Sequence, residues 1–323
     1  MKHEWRWIAE DAEGALPDLS LFTDPEAGCT VKRSPFRSVR RVTAPDGTVF
    51  FVKHDVPRTP GRILKELLRP RSLSEYRSGK LLRNAGIPCV SFAALGRRFP
   101  ESVLVSRELS GYISSWEFRH VAPEAEIRRF LRALAGMVRL MLDARIVHPD
   151  LHAGNVMVRR DDPEDLRLLD PFGVRRGLFT PYRADCRVFC DFADLMTPDE
   201  ASELFRIMGA DPRLWIELQE QTRRRILKEW PRRARQILEG RSKFLRTETL
   251  GGELHFIRNT PWYTPQPFSP ENAVPEDMEP EKARDIWLDS FRAAMLGEKT
   301  DRIPIAYRPG KTRSTLYYDK ADL

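Results

Sequence analysis

The chain has 323 residues, 41% of them hydrophobic and 31% charged, with a formal net charge of +7. Those proportions suit a folded protein with a sizeable core and exclude disorder over most of the length. No apolar run approaches the roughly 18 residues that a membrane-crossing helix needs. Acidic residues interrupt the start of the chain, where a secretory leader needs an unbroken apolar stretch, so a cytoplasmic protein is expected. The cationic excess favours anionic partners. The four cysteines, Cys29, Cys89, Cys186 and Cys190, are spaced for neither a zinc ribbon nor a redox pair, and no metal or disulfide role is expected of them.

Residues 30–53 read as two strands joined by Pro45-Asp46-Gly47, a turn that proline and glycine dihedrals favour. Helical stretches follow over residues 62–84, broken at Pro70, with Leu64, Leu67, Leu68, Tyr76, Leu81 and Leu82 on a side to be buried. Ala85-Gly86-Ile87-Pro88 stops them. A strand pair fits residues 91–95 and 102–108, so strands, helix and strands make a small α+β unit ending near Leu109. Residues 123–144 then repeat apolar side chains near a period of 3.6, from Ile127 through Phe130, Leu134, Val138 and Leu140 to Met141, and predict a core helix. Two short apolar runs, residues 156–158 and 166–169, flank a polar turn. Residues 187–242 read as mostly helical and carry a basic tract that includes Arg223, Arg224, Arg225, Lys228, Arg232, Arg233 and Arg235. The tract reads first as a solvated helix face and second as an anion-binding surface. Prolines gather over residues 261–280 and predict a loosely structured tail.

The segment that carries chemistry is His148-Pro149-Asp150-Leu151-His152-Ala153-Gly154-Asn155, followed by Val156-Met157-Val158 and, after a turn, Leu168-Leu169-Asp170. An Asp, an Asn five positions on, and a second Asp beyond a β-turn suit phosphoryl transfer from Mg-ATP. Asp150 is then the group that orients the attacking hydroxyl and accepts its proton. Asn155 and Asp170 offer hard oxygen ligands to Mg²⁺. Asp and Asn also fill ordinary turns, but an apolar lead-in, this spacing, an apolar triplet and a second Asp after two leucines coincide here. His148 and His152 are expected to pack and hold the loop rather than transfer protons.

The pattern H-x-D-L-H-x-G-N resembles the catalytic loop of the protein-kinase-like superfamily, and other segments match in order. The resemblance implies that Lys53, ending a strand, grips the nucleotide phosphates, that Glu75 pairs with it, and that Glu108 lies at a hinge whose backbone meets the adenine. Within the superfamily the chain is most similar to the lipopolysaccharide core kinases, through Ser72 to Leu82 with its S-x-x-E-Y pattern and through Ala85-Gly86-Ile87-Pro88. That likeness spans about residues 30–180 and implies ATP and Mg²⁺ as cofactors, with Kdo or heptose as acceptor. A lipid-linked sugar acceptor implies peripheral contact with the inner membrane, and no nucleic-acid partner is expected. The alternatives are another small-molecule kinase of the aminoglycoside or choline type, a protein-directed kinase, or a kinase-fold scaffold without catalysis.

The fold implied is α+β and bilobal, with a small β-rich N-lobe over residues 1–109, a mainly helical C-lobe over 110–260 and the proline-rich extension over 261–323. Three departures from the family stand out. No glycine-rich loop occurs over residues 31–42, so a plainer hairpin near Ser34 to Ser38 must cover the phosphates. The metal motif reads Asp170-Pro171-Phe172-Gly173, and the proline predicts an extended Asp170 with no flipping switch. Pro149, rather than arginine, precedes Asp150, which removes the usual dock for an activation-loop phosphate.

Overall fold

A computed structural model describes residues 4–9, 16–177, 185–242, 244–258, 268–296, 298, 300 and 302–320. The chain divides into two compact units, the first made of residues 1–115, 123–188 and 207–210, and the second of 116–122, 189–206 and 211–323.

Six antiparallel strands open the first unit: β1 (Arg6–Ala9), β2 (Cys29–Ser34), β3 (Arg37–Thr43), β4 (Val49–Asp55), β5 (Phe92–Arg98) and β6 (Glu101–Arg107), in the order β1-β5-β6-β4-β3-β2. The two-residue period of β4 sorts its side chains by face. Phe50 and Val52 are fully buried with Phe22, Val42, Val103 and Val105, whereas Phe51 and Lys53 point the other way and line a cleft. Full burial of each such apolar side chain contributes roughly 1.5–3 kcal/mol, which pins the register that aims Lys53 into the cleft.

The sequence reads one strand where the structure has two. Pro35 and Phe36 turn the chain between β2 and β3, and the Ser34 hydroxyl both donates to the Arg37 carbonyl and accepts its N–H. A side chain closing its own turn leaves no trace in hydropathy.

After the short α1 (Ser20–Thr23), the break at Pro70 separates α2 (Pro60–Leu68) from α3 (Arg71–Asn84). Gly86, at φ +73°, ends α3 in the left-handed region that glycine adopts freely, and the Ile87 N–H caps the Leu82 carbonyl. Tyr76 and Leu82 are buried, but Leu64, Leu67 and Leu68 are 56%, 59% and 77% exposed. Their expected burial fails because α2 buries no residue at all and α3 supplies the core face instead. The helix α5 (Glu124–Asp143) buries the expected stripe except Leu140, which faces solvent.

Beside it β7 (Tyr112–Ser114), β9 (Val156–Arg159) and β10 (Asp162–Leu168) form a small sheet, and β8 (Ile146–Val147) pairs with β11 (Arg175–Arg176). The short α4 (Ser115–Val121) runs from the first unit into the second.

The second unit also holds α6 (Pro198–Ile207), α7 (Arg213–Leu238) and α8 (Pro280–Leu296). Its five-stranded sheet takes β12 (Leu245–Leu250), β13 (Glu253–Arg258), β14 (Ala273–Met278), β15 (Ala306–Arg308) and β16 (Ser314–Asp319) in the order β12-β13-β15-β16-β14. Two expectations are corrected here. Residues 110–260 are not simply helical, and the described residues of 261–323 are not loosely structured: Trp287 and Phe291 of α8 are fully buried with Phe256, Tyr307 and Leu316. Pro275 does not break the structure. It lies in β14, an edge strand, where a missing N–H costs no ladder bond on the open side. Pro261, Pro265 and Pro267 lie outside the described residues.

Candidate active site

The segment 148–155 is built from the inside outward. His148 is buried, and its backbone N–H donates to the Asp185 carboxylate at 2.9 Å. Its ring Nδ1 accepts the Asp150 N–H at 3.3 Å, and burial pushes its pKa down, so the ring is neutral near pH 7. His152 Nδ1 accepts the Gly154 N–H at 3.0 Å, and the Ser115 hydroxyl donates to the Ala153 carbonyl at 2.6 Å. Both histidines thus hold the loop through its backbone. The Asn155 side-chain amide donates to the Asp150 carbonyl at 2.9 Å, while the Asn155 carbonyl accepts the Leu169 N–H at 2.8 Å. One residue thereby ties Asp150 to the strand end that carries Asp170. Asp150 itself is exposed.

A charge cluster gathers next to this loop. Lys53 pairs with Glu75 and reaches Asp170 at 3.3 Å. Arg37 donates to the other oxygen of Glu75 at 2.7 Å and lies 3.4 Å from Asp55. Glu75 is fully buried between these two cations, so removing either leaves a carboxylate in low dielectric with half its compensation. Burial alone would lower the pKa of Arg37, but Glu75 and Asp55 outweigh it and raise the value. Burial would likewise raise that of Asp170, yet Lys53 and Arg37 prevail and hold its carboxyl below the usual range.

Asp170 has φ +45°, in the left-handed region, and not the extended conformation that the following proline predicts. A non-glycine residue held there costs on the order of 1–3 kcal/mol. The bond from Leu169 to Asn155, the contact with Lys53 and the turn closed by the Val174 N–H on the Pro171 carbonyl fix the chain on both sides.

Lys53, Asn155 and Asp170 line a cleft of about 570 Å³ whose apolar walls include Val39, Phe92 and Met157. Glu108 lines it as well, but its N–H is spent on the Val49 carbonyl and its carboxylate on Arg41 at 2.9 Å. The Glu108 amide is therefore engaged within the protein rather than turned to the cleft.

Two residues of this site escape sequence reasoning. Arg37 is one of many arginines in a β-hairpin, and nothing local marks it as a partner of Glu75, 38 positions on. Asp185 is buried, one carboxylate oxygen has no hydrogen-bond partner among the described residues, and burial pushes its pKa up to about 7. An Asp just before an apolar run was the available hint, and it is a weak one. The basic tract belongs to α7 in the second unit, where Arg224 pairs with Glu220, Arg233 with Glu229 and Arg223 with Glu298, as a solvated helix face does.

No family model matches the chain, and no curated protein matches it in sequence. Among solved structures it is similar to the autoinhibited serine kinase domain of the giant muscle protein titin, at 14% identity and a TM-score of 0.36. That match covers 46% of this chain, and the chain spans less than half, 45%, of the titin structure. A likeness of that extent says nothing about activity.

Proposed function

We propose that the chain is an ATP-dependent phosphotransferase of protein-kinase-like fold, and that its acceptor is a hydroxyl of a lipopolysaccharide core sugar, Kdo or heptose. The observation that carries the first part is the convergence of Lys53, Glu75 and Asp170 on the cleft that Asn155 also lines, with Asp150 bonded to Asn155. The acceptor rests on the order of the S-x-x-E-Y and Ala-Gly-Ile-Pro segments after Lys53.

In this reading Lys53 leaves Asp170 to meet the α- and β-phosphates, and Glu75 holds the ammonium in place from below. Arg37 keeps Glu75 compensated while Lys53 is engaged. The Asp150 carboxylate accepts the proton of the attacking hydroxyl, and its backbone is fixed by Asn155 and by His148, which Asp185 anchors. Because the Asn155 Nδ2 is spent on the Asp150 carbonyl, its Oδ1 is left to bind a cation together with the Asp170 carboxylate, a hard-oxygen pair that fits Mg²⁺. When bound, that ion would neutralise charge on the transferring phosphoryl group.

The test is an acceptor screen with radiolabelled ATP, with mass analysis of whatever gains phosphate. Label on Kdo- or heptose-containing core is the expected result. Transfer only to other alcohols would overturn the acceptor assignment, and no Mg-ATP binding at all would leave a scaffold.

A further inference from the structure

A second cavity of the first unit, about 610 Å³, lies between the Ser34–Arg37 turn, α2, the start of α3 and the two segments that carry Asp150 and Asp170. Six cations line it, Arg37, Arg62, Lys65, Arg69, Arg71 and Arg175, against two carboxylates, Asp55 and Glu66. Both carboxylates are turned toward protein. Asp55 is buried, accepts the Ser72 hydroxyl at 2.7 Å and pairs with Arg37. Glu66 accepts the Arg71 backbone N–H through both oxygens at 3.1 Å.

Among the described residues, Arg62, Lys65, Arg69, Arg71 and Arg175 have no carboxylate within ion-pair distance, and the Arg71 Nε is buried with no hydrogen-bond partner. Two guanidinium groups are held by stacking rather than by charge: Arg62 over Phe36 at 4.5 Å and Arg71 over Phe172 at 4.8 Å. Stacking fixes a guanidinium plane and leaves its N–H edge free for an incoming oxyanion. Unneutralised like charges crowded in one concave site repel, and an anion relieves that repulsion. The wall itself carries the address, since Pro149 precedes Asp150, Gly173 follows Asp170 by three positions, and a Cβ on Gly173 would lie 3.1 Å from the Pro149 ring.

We infer that this cavity recognises an anionic substituent, a phosphate or carboxylate, of the sugar acceptor and so presents the neighbouring hydroxyl to Asp150. The inference rests on the phosphotransferase reading for its placement of Asp150, but the anion site itself does not. It differs from the basic tract of α7, where Arg223, Arg224, Arg232 and Arg233 pair with glutamates of their own unit.

The probe is glucose 6-phosphate, with glucose as neutral counterpart, titrated against the full chain by saturation-transfer NMR, and Mg-ADP affinity is measured alongside. The phosphosugar is expected to bind and glucose not to. The triple variant Arg62→Gln, Lys65→Gln, Arg69→Gln, all exposed positions, is expected to lose at least tenfold in phosphosugar affinity while Mg-ADP affinity stays within twofold. If the triple variant does not fold, Lys65→Gln and Arg175→Gln are read singly, each for a loss of threefold or more. Equal phosphosugar affinity in wild type and variants overturns the inference. So does binding by these three residues to vesicles of phosphatidylcholine with 30% phosphatidylglycerol in the absence of any phosphosugar binding, because the anion would then be a lipid headgroup. Wild-type protein that binds the phosphosugar but no Mg-ADP would sink the phosphotransferase reading and leave the anion site standing.

Discussion

Replacing Asp185 by Asn should stabilise the protein at pH 8 relative to pH 5. In the wild type one oxygen of Asp185 receives the His148 N–H and the other is buried without a partner among the described residues. Burial lifts the carboxyl from an ordinary 3.8 to about 7. A folded pKa above the unfolded one means that the group's contribution is fully present below about pH 4 and lost as the pH rises through about 7. The whole difference corresponds to about 4 kcal/mol, and roughly 2–3 kcal/mol of it falls between pH 5 and pH 8. Asparagine keeps an acceptor for the His148 N–H and does not titrate. Any cost of burying its NH₂ group is the same at both pH values and cancels in the comparison. His148 works in the opposite direction, its depressed pKa stabilising the fold above pH 6.5 and less so below, but it is present in both proteins. Urea unfolding of wild type and Asp185→Asn at the two pH values reads the result directly. The stability difference should move in favour of the variant by roughly 2–3 kcal/mol on going to pH 8. A difference that stays constant to within about 0.5 kcal/mol, beyond the usual fitting error, would refute the claim that the carboxyl is held protonated by burial.

Asp150→Asn is expected to lower kcat by at least about a hundredfold, the usual size of general-base catalysis, with Mg-ADP affinity unchanged by calorimetry. Asp170→Ala is expected to weaken nucleotide binding in the presence of Mg²⁺ but not in its absence, which paired titrations would separate. Arg37→Gln leaves Glu75 and Asp55 with less compensation and should cost on the order of 3 kcal/mol in chemical denaturation, with Lys53 still paired to Glu75. Replacing Arg224, Arg225 and Lys228 together with Gln should leave the acceptor KM and its dependence on salt unchanged, since Arg224 already pairs with Glu220 on an exposed face and such pairs are worth little.

The sequence was legible where a single local rule governs the outcome. Pro70 splits two helices, Ala85-Gly86 ends the second, and the 3.6 period over residues 124–143 is a buried helix because each of those signals acts within one or two turns of chain. Legibility failed where the deciding partner is remote. Leu64, Leu67 and Leu68 have the spacing of a core stripe, yet burial needs an element to pack on them, and periodicity says nothing about whether one is supplied. The edge position of β14 likewise depends on β16, about forty residues away, so Pro275 looked like a breaker when it is a tolerated edge residue.

The site shows the same division more sharply. Asp150, Asn155 and Asp170 stand out in the sequence because their spacing is short and their backbone bonds are local, as in the contact from Asn155 to Asp150. What surrounds them is set by side chains from distant strands. Arg37 of β3 reaches Glu75 of α3, Asp185 reaches His148 from 37 positions on, and the hairpin without glycines over residues 31–42 is tied down through Arg37. A glycine-rich cover admits phosphates by letting the backbone approach closely. Arg37 instead bonds Glu75, which also holds Lys53 of the cleft, and lines the cationic cavity. In the phosphotransferase reading, a single side chain, Arg37, would therefore link the Lys53–Glu75 pair of the cleft to the cavity proposed for the acceptor.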